Sequence, residues 1–243
     1  SSVINSSRIE NNNYGVYIYS ASPNITNNEI INNTGYGIYT WNSQSIPTIY
    51  NNLIKNNNVG IDVTYSSRPV IENNRILNNK NYGIYCGSYY NPGYPKIIGN
   101  TISGHSVGIY NSASLIENNT ISDNYYGISL SYRQTNIINN TIFNHTYYGI
   151  YLSNANANII NTKISNSSQK DLSLSGTTYV KSVNSNFNKS NVYLRDTSIL
   201  DVLWNDTISV SYEGQPINES IIEVYSNDNI KVAEGITDET GQV

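Results

Sequence analysis

Methionine is absent and cysteine occurs once in 243 residues, which excludes an internal disulfide framework and every multi-cysteine zinc or iron–sulfur site. Charge is scarce too. Asp, Glu, Lys and Arg make 12% of the chain and leave a net −4, which gives no electrostatic reason to bind nucleic acid or an anionic membrane. No apolar run approaches the ~20 residues of a membrane helix. With 16 Gly and 6 Pro the chain is far from collagen, and at 38% hydrophobic residues it is too apolar for a disordered one. Asn-Gly, the strongest hairpin signal, never occurs, although 43 Asn and 16 Gly would give about three such pairs by chance. The chain opens Ser1-Ser2-Val3, without an initiator Met or a signal peptide, and reads as a mature or excised piece of something longer.

What is present is repetitive. There are 43 Asn, 35 Ile and 23 Tyr. A phrase Ile-x-Asn-Asn-x-Ile recurs at Ile25–Ile30, Ile49–Ile54, Ile71–Ile76, Ile116–Ile121 and Ile137–Ile142, with Gly99 replacing one Asn in Ile97–Ile102. Ile4–Ile9, Ile159–Ile164 and Ser182–Phe187 are weaker copies. Successive second apolar residues are 21, 24, 22, 26, 19, 21, 22 and 23 residues apart. A second phrase, Gly followed by an apolar residue, follows most copies at Gly15, Gly37, Gly60, Gly83, Gly108, Gly127 and Gly149. Apolar and polar residues alternate inside each unit, as in Ile128-Ser129-Leu130-Ser131, which is the period of a strand with one buried face. Asn pairs and Gly interrupt every ten residues or so and rule out helices. A unit of fluctuating length built from short strands predicts stacked coils with parallel pairing, about nine coils at ~4.8 Å each.

The pattern assigns jobs to residue types. Asn28, Asn52, Asn74, Asn100, Asn119 and Asn140 hold one position in successive coils, where amides can stack as a hydrogen-bonded ladder at a tight corner. The repeated Ile residues form interior columns, and Cys86, in register with Ile18, Val63 and Leu130, is core filler rather than a nucleophile. Tyr14, Tyr36, Tyr82, Tyr126 and Tyr148 precede the repeat Gly and are expected at a corner. Tyr17, Tyr39, Tyr85, Tyr110 and Tyr151 point outward by alternation and make a stripe with gaps at Asp62 and Ser129. The stripe is either cross-coil stacking or a docking surface, and the insertion Gly87–Pro95 with Tyr90 and Tyr94 would extend it.

These phrases resemble the parallel β-helix repeats of the pectin-lyase-like superfamily. They are especially similar to Asn-rich archaeal cell-surface and sheath proteins and to periplasmic copper-processing β-helix proteins. The resemblance covers about residues 3–200 and implies a right-handed coil. Polysaccharide lyases and hydrolases of that superfamily need clustered carboxylates. Here Glu72 and Glu117 share a column two coils apart, and Arg8 faces Glu29 as a solvated ion pair, so an enzyme is not expected. Copper chemistry would need Met, Cys and His, and His105 and His145 are two coils apart and read as surface residues. No cofactor is expected; a structural Ca²⁺ stays open.

Residues 201–243 differ, with no Asn pairs and more acid, and Thr207–Tyr212 and Ile221–Tyr225 read as strands. They are expected to open an immunoglobulin-like β-sandwich that continues beyond Val243, since such a domain needs ~100 residues. Glycosylation sequons stand at Asn5, Asn24, Asn32, Asn144, Asn166, Asn188, Asn205 and Asn218, and at the corner residues Asn118 and Asn139. Their total of ten matches the roughly nine that composition gives by chance. The expected function is a structural extracellular module of a cell-surface layer, sheath or filament. Its partners are copies of itself, neighbouring surface proteins or glycans. The alternatives are a carbohydrate-binding adhesin and, third, a polysaccharide lyase or epimerase.

Overall fold

The computed structural model describes residues 2–204, 209–225, 231–240 and 242–243. It divides into two units, Ser1–Leu203 and Trp204–Val243.

The first unit is a right-handed parallel β-solenoid of about nine turns. Each turn carries three short strands, as in Asn24–Thr26, Glu29–Ile31 and Tyr36–Trp41. Equivalent strands pair in parallel from turn to turn and make three sheets of 10, 8 and 9 strands. The register is that of the repeat: Ile25 lies beside Ile49, Ile49 beside Ile71, and Ile71 beside Ile97. These columns are fully buried, and each such Ile contributes roughly 1.5–3 kcal/mol relative to exposure. Cys86 lies in the core with no exposure, and burial pushes its thiol up in pKa, so it is held protonated.

Two of the three corners in a turn are made by a single left-handed residue, Asn27 and Asn32 in the second turn, with φ of 57° and 54°. Asn tolerates that region far better than other residues with a Cβ, which explains why it recurs at both places. The repeat Gly has a different reason. A Cβ on Gly15 would lie 2.5 Å from the Gly37 carbonyl oxygen and 2.9 Å from Asn33 Nδ2, so adjacent turns can approach only if this position is bare.

The solenoid runs three residues past the expected boundary at 200. The strand Ile199–Leu203 still pairs in parallel with Tyr179–Val183. The core weakens there: Ser182 takes the place of Ile159 in its column, and its hydroxyl is buried without a hydrogen bond.

In the second unit Ser211–Tyr212 pairs antiparallel with Gln215–Pro216 across Glu213-Gly214, both at positive φ. Ile221–Tyr225 pairs antiparallel with Lys231–Ile236. Asp238 Oδ1 accepts the backbone N–H groups of Thr240 and Gln242 at 2.8 and 3.1 Å and so fixes the following turn. Thr207 and Ile208, the start of one expected strand, lie outside the described residues.

Candidate binding face

The inward corner residues decide what the coil can present outside. Asn28, Asn52, Asn74, Asn100, Asn119 and Asn140 are each at most 2% exposed and stack in one column. Each backbone N–H and Nδ2 donates to the Oδ1 of the next turn; for Asn28 to Asn52 the distances are 2.9 and 3.0 Å. Nδ2 also donates to an Ile carbonyl, as from Asn52 to Ile25 at 2.8 Å. At the end hydroxyls take over: Asn140 N–H donates to Thr162 Oγ1, and Thr162 N–H to Ser185 Oγ.

A second ladder runs at the next corner, five residues on in each turn, and sequence reasoning missed it. It comprises Asn33, Asn57, Asn79, His105, Asn124 and His145. The signal was present as the pairs Asn32-Asn33, Asn56-Asn57 and Asn78-Asn79. Both histidines therefore correct the surface reading: His105 is 4% exposed and His145 1%. Each replaces an amide. Asn79 N–H donates to His105 Nδ1 at 3.0 Å, and His105 Nε2–H reaches the Ile76 carbonyl at 3.1 Å, as Asn79 Nδ2 reaches Ile54. That network assigns the proton to Nε2. Burial holds both imidazoles below their usual pKa, His145 down to about 4.

With the interior satisfied, function falls to the outer faces. The third sheet displays the tyrosines. Tyr14 stacks on Tyr36 at 5.1 Å and Tyr17 on Tyr39 at 5.4 Å, so the residues before the repeat Gly join the stripe. Tyr85 stacks on Tyr110 at 5.5 Å, with Tyr82 against both. Tyr126, Tyr148 and Tyr151 form a third group, extended by the stacked pair Tyr125 and Tyr147 at 4.9 Å. The stripe is therefore three clusters, parted at Asp62 and Ser129. Neither gap is open, since flanking side chains leave Asp62 5% and Ser129 8% exposed. Burial pushes the Asp62 carboxyl up to about 7, partly offset by the Thr64 hydroxyl.

Tyr90 and Tyr94 are not brought to these clusters. Tyr90 packs edge-on to Tyr89, which meets Tyr132, while Tyr94 lines a groove with Ile46, Arg68 and Lys96. Arg8 bridges Glu29 at 2.7 Å and Glu10 at 2.9 Å, with Arg8 and Glu29 exposed to solvent and Glu10 half-buried. Glu72 and Glu117 are separated by Ile98, one turn from each. Asn5, Asn24, Asn32, Asn118, Asn139, Asn144, Asn166, Asn188 and Asn218 are exposed; Asn205 lies outside the described residues.

Comparison with known proteins gives a fold and little more. The family model described as "Right handed beta helix region" matches residues 1–136 and 89–236. No curated protein matches the chain. Solved structures that resemble it include the Dettilon tailspike protein (gp208), at 13% identity and a TM-score of 0.49, over 85% of this chain and 54% of that one. The chain thus spans about half of that tailspike's length.

Proposed function

We propose a structural role, and the premise is membership: the chain belongs to the right-handed beta-helix family. It serves as a rigid extracellular module of a surface layer, sheath or filament. Its third sheet docks laterally on copies of itself or on neighbouring surface proteins. The observation that carries this reading is the tyrosine face. Three ring clusters lie on one outer sheet of a chain with only 12% charged residues. Tyr buries a large apolar area while its hydroxyl stays hydrogen-bonded, which suits a protein contact. A solenoid suits the mechanical task, because its stability is local and repeated. The two antiparallel pairs of the second unit support its reading as part of an immunoglobulin-like sandwich.

Sedimentation across concentration tests the role, comparing the protein with a variant carrying Tyr17, Tyr39, Tyr85, Tyr110 and Tyr151 all changed to Thr. Association that is lost while the circular dichroism stays β-like supports docking. Unchanged association with a lower melting point would make the stripe a purely internal reinforcement. The second reading, a glycan-binding adhesin, draws on the same rings, which also stack on sugar faces. Co-sedimentation with pectate or alginate decides for it. Unsaturated-uronate absorbance in that mixture would instead revive the lyase or epimerase reading.

A further inference from the structure

Asp62 is an unusual residue to place on a sheet's outer face and then cover. It sits in the strand Val59–Thr64, between Tyr39 of the preceding turn and Tyr85 of the following one. Its Oδ1 is buried and has no hydrogen-bond partner, and no ion pair reaches the carboxylate among the described residues. Leaving a carboxylate dry and unpaired is costly, and the usual remedy is a cation or a set of donors. The surroundings supply rings instead. Tyr36 and Tyr39 from one side and Tyr85 from the other all feel the Asp62 charge, as does Cys86 beneath. Ring stacking runs within each side, Tyr14 with Tyr36, Tyr17 with Tyr39 and Tyr85 with Tyr110, and among the described residues none crosses the Asp62 rung. The two walls can therefore part without breaking a stacked pair.

A carboxylate floor between aromatic walls is the donor set of an organic cation. Metals ask for something else: Ca²⁺ needs six to eight oxygens, and here one carboxylate and the Thr64 hydroxyl lie covered between neutral phenols. An alkylammonium group would pair with Oδ1 through N–H and lie against the Tyr39 and Tyr85 rings, where cation–π attraction acts within about 6 Å.

We infer that Asp62, walled by Tyr36, Tyr39 and Tyr85, is a binding site for an alkylammonium cation, the chemistry of a lysine side chain or a small primary amine. The site does not depend on lateral docking, because a free amine would fill it in a single molecule. Deprotonation of the raised Asp62 carboxyl is required, so binding strengthens as pH rises through about 7.

The probe is n-butylammonium chloride, titrated into the whole chain against matched sodium chloride, with tyrosine ring NMR shifts as the readout. The expected result is a saturable shift at Tyr39 and Tyr85 that weakens at least tenfold in Asp62→Asn and several-fold in Tyr85→Leu, both checked for β-like circular dichroism. Shifts that do not saturate, or that persist in Asp62→Asn, would overturn the site whatever becomes of the docking role. Two sources offer the same ammonium group, and self-association separates them. Dispersal of associated protein by butylammonium identifies a neighbour's lysine as the natural occupant, and undisturbed association identifies a free amine. Either result, with Asp62-dependent saturation, upholds the site.

Discussion

The two corner ladders do the same job with different residues. At the first corner six consecutive turns use Asn, from Asn28 to Asn140. At the second, His replaces Asn at 105 and 145, and the stack continues through His105 and ends on His145. The corner thus selects a function rather than a residue type. It needs one acceptor for the N–H of the turn before and one donor for an Ile carbonyl. Asn supplies both from a planar amide; neutral His105 supplies both from its two ring nitrogens, whereas His145 supplies the acceptor and leaves its buried Nε2 without a hydrogen bond. What differs is titration. An amide ladder is indifferent to pH, whereas an imidazole that gains a proton at Nδ1 no longer accepts the N–H of the turn before, and at His105 the new N–H faces the Asn79 carbonyl instead.

The comparison breaks most visibly at the all-Asn corner. Asn74→Leu removes the acceptor for Asn52 N–H and Nδ2, and removes donors to the Ile49 and Glu72 carbonyls. Each orphaned buried group costs about 1–3 kcal/mol, so a loss of roughly 3–6 kcal/mol is expected, with a similar loss for Asn119→Leu. Asn42, whose Oδ1 accepts the N–H of Gln44 and the Ser43 hydroxyl at an exposed loop, is the control. Urea unfolding that gave equal losses at 42, 74 and 119 would sink the ladder as a source of stability.

The next effect is in pH. His145 titrates near 6.5 when unfolded and near 4 when folded, because burial disfavours its cation. The unfolded chain therefore takes up the proton first, and stability is lost as pH falls from about 6.5 towards 4, by up to roughly 3 kcal/mol. Asp62 acts in the opposite sense. Its carboxyl is pushed up to about 7 from 3.8, so its contribution is full below 3.8 and disappears as pH rises to about 7, by up to roughly 4 kcal/mol. Between pH 4 and 6.5 the two offset each other. His145→Asn should leave a profile that falls mainly with rising pH, with the acid loss that remains coming from His105, and Asp62→Asn one that falls with acid. Unfolding free energies at pH 4, 5.5 and 7 check this; variants with parallel profiles would contradict it.

The coil, its register and the first ladder were legible because Ile, Asn and Gly recur in phase and each has one physical use there. The second ladder was not, because the phrase Ile-x-Asn-Asn-x-Ile ends before Asn33, Asn57 and Asn79, and His105 and His145 break the residue match. Scarce His in a polar repeat reads as surface until the column is drawn. Alternation put Asp62 on the outer face correctly but could not show that neighbouring rings would cover it. Burial on a sheet face depends on the size of side chains one turn away, more than 20 residues distant in sequence. Tyr90 and Tyr94 lie in an insertion, where the repeat offers no register at all.

The smallest effect gives the sharpest form of the comparison. If the corner asks only for an acceptor and a donor, His105→Asn should be nearly silent, within about 1 kcal/mol. The amide would again accept Asn79 N–H and donate towards the Ile76 carbonyl, as its equivalents do in the turns before. His105→Leu fills the space but orphans Asn79 N–H and the Ile76 carbonyl, and should cost several times more, about 2–4 kcal/mol. His105→Asn should in addition flatten whatever acid sensitivity this position adds, because burial lowers the His105 pKa. Urea unfolding of the two variants at pH 7 and pH 5 separates the cases. Equal losses for Asn and Leu would mean that the imidazole is held for its shape, and that the two ladders are not the same device.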